Sequence, residues 1–93
     1  YLDRPGVADL FEIGEGVASL VGGFVPPEAE VIGKEIRKAN VPAECIVAAI
    51  VRSGRLVVPR GDTVIEEGDH VIFVGAAAAI RNALDAFMIK QRA

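Results

Sequence analysis

A small α+β domain is what this sequence predicts, on three observations. Between Cys45 and Gly75, β-branched runs of four to seven residues are each closed by Gly, Asp or Pro. Such runs read as strands joined by tight turns, because branched side chains suit a pleated, half-buried surface. From Ala76 to Lys90, the residues Ile80, Leu84, Phe87 and Met88 fall at spacings of four, seven and eight, which is one stripe of an amphipathic helix. Finally, 93 residues is one domain's worth, able to bury roughly 60–65% of its unfolded surface in a single core. The chain is 52% apolar and 25% charged, with five aromatics and no Trp, so Val, Ile, Ala and Leu must build that core.

In chain order, Asp3-Arg4-Pro5 followed by Val7, Leu10 and Phe11 predicts a capped helical turn, with Asp3 accepting from free amides and Pro5 tolerated near the start. The expectation for residues 1–14 is therefore a linker helix. Because the chain opens on Tyr1 without a methionine, that helix is expected to lead out of a missing upstream segment. Residues 15–93 then form the domain proper. Gly16 to Val25 reads as the first strand, and Gly22-Gly23 within it signals a bulge or a close backbone approach. Pro26-Pro27 ends the strand. Glu28 and Glu30 precede the pattern Val31, Ile32, Ile36, Ala39, which predicts a short helix over residues 31–39 with its dipole favouring those anions. Asn40-Val41-Pro42 closes it, since the residue before a proline leaves the α region.

Three strands follow. Cys45–Val51 is continuously apolar, Arg52-Ser53-Gly54-Arg55 is a polar turn, and Leu56-Val57-Val58-Pro59 is a short second strand. Gly61-Asp62-Thr63 and Glu66-Glu67-Gly68-Asp69 are turns that lead into His70–Gly75. The closing helix starts on Ala76–Ala79, strong helix formers small enough to let another backbone approach. The sequence shows no internal repeat and no low-complexity tract.

Composition excludes several functions. The formal charge is −3 and the basic residues are scattered from Arg4 to Arg92, so there is no cationic stripe of the kind a nucleic acid requires. Cys45 is the sole cysteine; no intramolecular disulfide is possible, and a reducing, cytoplasmic setting is expected. No apolar run nears the roughly 18–20 residues that span a bilayer, and no signal peptide opens the chain. No GxSxG, P-loop or GxGxxG pattern occurs, and Cys45 has no neighbouring base, so the chain is not expected to be an enzyme. One His and one Cys make no zinc site. Glu66, Glu67 and Asp69 read either as oxygen ligands for a hard cation or as a solvated acidic turn, and the turn is preferred, so no metal site is assigned. His70 reads as a strand-edge residue, or else as a proton sensor. Arg60-Gly61-Asp62 spells the adhesion tripeptide, a common chance match.

The string Ile32-Gly33-Lys34-Glu35-Ile36, the strand and turn Ile46-Val47-Ala48-Ala49-Ile50-Val51-Arg52-Ser53-Gly54, and the run Val58-Pro59-Arg60-Gly61-Asp62-Thr63 through Glu67-Gly68-Asp69 to Gly75 together resemble the C-terminal lobe of RCK proteins, the TrkA-C domain. The resemblance covers roughly residues 15–90, turns included. It implies a regulatory module of potassium channels, potassium uptake systems or cation/proton antiporters. Such a module is cytoplasmic and is held at the inner membrane through its transporter. The resemblance further implies that two copies pair about a two-fold axis, and that a small ligand, cyclic di-AMP above all, binds between them. No other cofactor is implied.

On that resemblance the expected ligand site comprises Arg37, Lys38, Asn40, Cys45, Ile46, Val47 and Pro59. The aliphatic walls would take an adenine, backbone amides its ring nitrogens, and Arg37 or Lys38 a phosphate. Arg37 and Lys38 also read as solvated charges at a helix C-terminus, favoured by its dipole, and for the two side chains that reading is preferred. Ile46 stands where family members that bind cyclic di-AMP often carry a polar residue. Two functions therefore remain: a ligand-sensing, dimerising regulator of potassium or cation transport, and a dimerisation module that recognises no ligand.

Overall fold

The computed structural model describes residues 7–89, with side chains from Phe11 onward. Five strands form one antiparallel sheet: β1 (Val7–Ile13), β2 (Ala18–Phe24), β3 (Cys45–Arg52), β4 (Arg55–Val57) and β5 (His70–Gly75). Their order across the sheet is β1-β2-β5-β3-β4, so the last strand of the sequence is the central one. Among the described residues one α-helix, α1 (Ala77–Ala86), packs across β2, β5 and β3. The α+β class and the three-strand region stand as the sequence predicts.

Local chemistry accounts for the turns. Arg52 pairs with Arg55, and the two residues between them, Ser53 (φ 52°) and Gly54 (φ 75°), both lie in the left-handed region. That is a two-residue type I′ hairpin, whose twist matches that of the flanking strands. At Gly22-Gly23 the close neighbour is a side chain rather than a second backbone. A Cβ built on Gly22 would lie 2.7 Å from the His70 Nε2 of the neighbouring strand, so a side chain there would require the His70 ring to move.

Two helices predicted from the sequence are corrected. The stretch Val7–Ile13 is not helical but forms edge strand β1, paired with β2 from Val7↔Gly23 to Ile13↔Ala18, with a register shift between Val7 and Asp9. Asp3, Arg4 and Pro5 lie outside the described residues. The helix expected over residues 31–39 shrinks to one 3₁₀ turn at Ile36–Lys38. The reason is where the backbone donors go. Gly33, Ile36 and Arg37 donate their N–H groups to the carbonyls of Ile65 (2.8 Å), Thr63 (2.9 Å) and Gly61 (3.0 Å), and Glu35 bridges Val64 in extended conformation. A backbone committed to a second segment cannot also close i→i−4 bonds. The C-terminal helix is likewise shorter than its periodicity suggests, ending in a Schellman motif with Met88 at φ 57°. Ile89 N–H bonds the Leu84 carbonyl (2.8 Å) and Met88 N–H that of Asp85 (3.0 Å). Met88 accordingly leaves the apolar stripe, and Ile89 is buried in its place.

The two faces of the sheet differ. On one, Val21, Val71, Phe73, Ile50 and Cys45 meet Ile80, Leu84 and Phe87 of α1, together with Val25, Ala29, Val31 and Ile65 of the connecting segments. The Phe73 and Phe87 rings meet edge to face, with centroids 5.0 Å apart. The pairing registers put a second set of residues on the opposite face. Phe11, Leu20, Val74 and Ile46 form one cross-strand row, and Phe24, His70, Val51 and Leu56 another. Between them runs a row of Gly22, Ile72 and Ala49, with Asp9 at its outer end by register. The helix does not cover this second face.

Candidate functional site

A cleft of about 520 Å³ opens where β3 begins, between the 3₁₀ turn and the Pro59–Gly61 segment. The pairing of residues 33–37 with 61–65 builds it, since that pairing carries Arg37 up against Gly61. β3 supplies the floor. Along its Cys45–Val47 stretch it pairs with β5 on one side, while β4 reaches only Ile50–Arg52 on the other, so the first half of this strand forms a border of the sheet. Ile46 stays 61% exposed there.

Six of the residues expected from sequence, Arg37, Asn40, Cys45, Ile46, Val47 and Pro59, line this one cleft, and Lys38 does not. Ile36, Val41, Arg60 and Gly61 complete the lining. Arg60 and Gly61 were not expected. They arrive through the pairing of residues 33–37 with 61–65, two segments far apart in the sequence. Asn40 takes a left-handed conformation (φ 61°), which turns the chain out of the 3₁₀ turn toward Pro42. Arg37 is well exposed and its Nε donates to Glu35 Oε1 at 2.8 Å. Arg37 and Arg60 are the two basic residues of the lining, while Ile36, Val41, Ile46 and Val47 make the walls aliphatic. Burial pushes the Cys45 thiol above its ordinary value, so it is a neutral, packed group at physiological pH and not a nucleophile. An arrangement of apolar walls with two arginines in the lining suits an anionic ligand carrying flat apolar parts.

A second polar cluster lies at the other end of β3. Asp69 is fully buried. Its carboxylate takes a forked pair of bonds from Arg52, Nε to Oδ1 at 2.8 Å and Nη2 to Oδ2 at 2.9 Å, and a third from the Glu66 N–H at 2.9 Å. Arg52 also donates to the Val64 carbonyl (2.9 Å) and lies 3.1 Å from Glu66 Oε2. The hydrogen bond to Asp69 holds the guanidinium even further toward its charged form. This arrangement ties the 64–69 turn to the hairpin. Asp69 is thus no part of a solvated acidic turn, and among the described residues no three His, Cys, Asp or Glu side chains are placed to hold a metal ion. His70 opens the central strand, half-buried, with its ring stacked on Phe24 at 4.5 Å.

The sequence model of the TrkA-C domain matches residues 24–88. The chain belongs to the TrkA-C domain family. Among its relatives are the Trk system potassium uptake protein TrkA of Halomonas elongata, 35% identical over 83 residues, and the trkA homolog 1 of Methanosarcina mazei, 30% identical over 74 residues. These alignments span 86% and 80% of this chain but only 18% of either relative, so the chain corresponds to under a fifth of those proteins. Among solved structures, the RCK_C domain dimer of Streptococcus agalactiae BusR in complex with c-di-AMP superposes with a TM-score of 0.65 at 30% identity, covering 74% of this chain and 95% of that one. TrkA-C domains are regulatory rather than enzymatic. Among the described residues no helix is long and apolar enough to cross a membrane.

Proposed function

We propose that this TrkA-C domain is a ligand-sensing, dimerising regulator of potassium or related cation transport, and that its cleft takes a small nucleotide such as cyclic di-AMP between two copies. The observation that carries this reading is the cleft itself. It lies at an incompletely paired border of β3, has aliphatic walls, and counts Arg37 and Arg60 among its lining residues. The relatives named as potassium uptake proteins support the transport role, and the BusR dimer in complex with c-di-AMP supports both pairing and ligand class. Residues 15–93 act as the regulatory domain and residues 1–14, whose Val7–Ile13 stretch also completes the sheet as β1, as the connection to the rest of a transport system, on the cytoplasmic side of the membrane. Occupancy of the cleft favours one relative pose of the two copies, and that preference is passed on through the connection.

The alternative is a dimerisation module without a ligand, and Ile46 favours it: an exposed aliphatic side chain at the border suits contact with protein better than a hydrogen bond to a base. Calorimetric titration with cyclic di-AMP separates the two. The wild-type chain is expected to bind one ligand per two copies. Arg37→Ala and Arg60→Ala should each weaken binding by about tenfold or more, the usual cost of a lost charge-assisted contact, with unchanged circular dichroism. A wild-type chain that gives neither heat nor a melting shift with cyclic di-AMP leaves only the ligand-free module.

A further inference from the structure

The ion pair between Glu35 and Arg37 brings to the cleft a charge that its lining does not contain. Among the described residues the lining includes two cations, Arg37 and Arg60, and no carboxylate. Glu35 lies outside that lining, yet its Oε1 accepts from Arg37 Nε at 2.8 Å, and among the described residues it is the one carboxylate ion-paired to a lining cation. Its backbone is held on both sides. Glu35 is extended (φ −68°, ψ 148°) and bridges Val64, with the Lys34 carbonyl accepting from Ile65 N–H (3.0 Å) before it and the Ile36 N–H donating to the Thr63 carbonyl (2.9 Å) after it. The Arg37 stem runs beside Gly61, where an added Cβ would lie 3.8 Å from Arg37 Cβ and 3.9 Å from its Cδ. Both partners are therefore carried by the same pairing that builds the cleft. With the Arg37 side chain 62% exposed and that of Glu35 30%, such a pair adds little to stability. Its consequence is for whatever anion approaches Arg37.

We propose that Glu35 is an internal counter-ion that sets the ligand charge the cleft accepts, favouring a dianion over more highly phosphorylated nucleotides. This rests on the reading of the cleft as a nucleotide site shared by two copies. Two cations less one paired anion leave one positive charge per copy. Two copies then present two, the charge of a ligand with two phosphodiesters. A further ligand charge has no counterpart left and meets the two Glu35 carboxylates. At roughly 6 Å in water each such encounter changes affinity by a factor of about three, and salt reduces it by shortening the screening length. Arg37 itself stays competent to bind phosphate, because the bond to Glu35 uses its Nε donor and leaves the terminal nitrogens' donors.

The experiment is calorimetric titration of the 93-residue chain with cyclic di-AMP and with the linear dinucleotide pApA. The linear form keeps both adenines and, at about pH 8, carries about one more negative charge, since the second pKa of its terminal phosphate is near 6. Wild type is compared with Glu35→Gln, whose amide oxygen still accepts from Arg37 Nε, and with Glu15→Gln, which removes the same charge at the β1–β2 turn. Circular dichroism checks folding, and competition against cyclic di-AMP reads the pApA affinity where its heat is small. In Glu35→Gln the preference for cyclic di-AMP over pApA is expected to narrow by about threefold or more at low salt. The narrowing should fade near 1 M salt, where the screening length is about 3 Å, and Glu15→Gln should keep the wild-type ratio. An unchanged ratio, including pApA bound by neither protein, overturns the proposal and leaves the nucleotide site standing. Equal weakening of both ligands makes Glu35 a support for Arg37 and also overturns it. A wild-type chain that binds neither ligand removes the nucleotide site itself, and this inference with it.

Discussion

Asp69 is fully enclosed and carries three hydrogen bonds, two of them from Arg52. A buried carboxylate is tolerated only while its partner is in place, and removing that partner costs more than the pair contributes, because the remaining charge is stranded. Arg52→Ala is therefore expected to destabilise the chain by about 3 kcal/mol, the lower end of the range because the guanidinium is partly exposed. For a domain of this size that lowers the melting temperature by roughly 12 °C or more. Arg52→Lys should recover only part of the loss, since an ammonium cannot fork onto both oxygens. A thermal melt of the three proteins checks the order, and an Arg52→Ala melt within 2–3 °C of wild type, a shift expected from well under about 1 kcal/mol, would contradict it. Cys45 gives the pH prediction. Burial holds its pKa above the ordinary 9.0, so the fold favours the neutral thiol. That contribution to stability is fully present below about pH 9, the unfolded value, and is lost as pH rises through the folded one. Native chain should thus be alkylated by iodoacetamide at least tenfold more slowly than urea-unfolded chain near neutral pH, and the denaturation midpoint should fall on going from neutral pH to above pH 9, a fall that Cys45→Ala removes.

At the scale of elements, the end of α1 is the least comfortable piece of backbone near the core. Met88 occupies the left-handed C′ position that glycine usually fills, and its side chain is exposed, so Met88→Gly relieves strain without opening a cavity. The expected gain is about 0.5–1 kcal/mol, read as a rise in the denaturant midpoint at constant slope; a fall would mean that the thioether packs against something essential. The same element shows what is legible in a sequence. The stripe Ile80, Leu84, Phe87 reports a helix because its information is local, and the strands β3 and β5 are legible for the same reason, each being a branched run with its own turn residues. The stretch around Ile32 and Ile36 misleads because a spacing of four fits a helix and an alternating strand alike. Its true partner, Gly61–Ile65, lies far along the chain and leaves no local mark. In β1 the register shift between Val7 and Asp9 breaks the two-residue alternation, so Val7, Leu10 and Phe11 mimic a helical stripe. The cleft inherits this division: Cys45–Val47 and Pro59 come from readable strands, whereas Arg60 enters only through the long-range pairing.

For the molecule as a whole, the site in β3 and the state of association are one thermodynamic question. If a ligand is held by two copies at once, it stabilises the pair, and by reciprocity the pair binds ligand more tightly than a single copy does. The apparent dissociation constant of cyclic di-AMP is then expected to fall as protein concentration rises through the range in which the pair forms, and to level off once pairing is complete. Ligand at about a hundred times that constant should add about 2.7 kcal/mol to stability, a melting shift of roughly 10–20 °C for a chain of this length. Titrations repeated over a hundredfold span of protein concentration, alongside light scattering, measure both quantities on the same samples. Affinity that stays flat while the mass changes from one copy to two would place the whole site within a single chain. Occupancy would then have no leverage on the mutual pose of two copies, and regulation through the cleft would have to act within one domain.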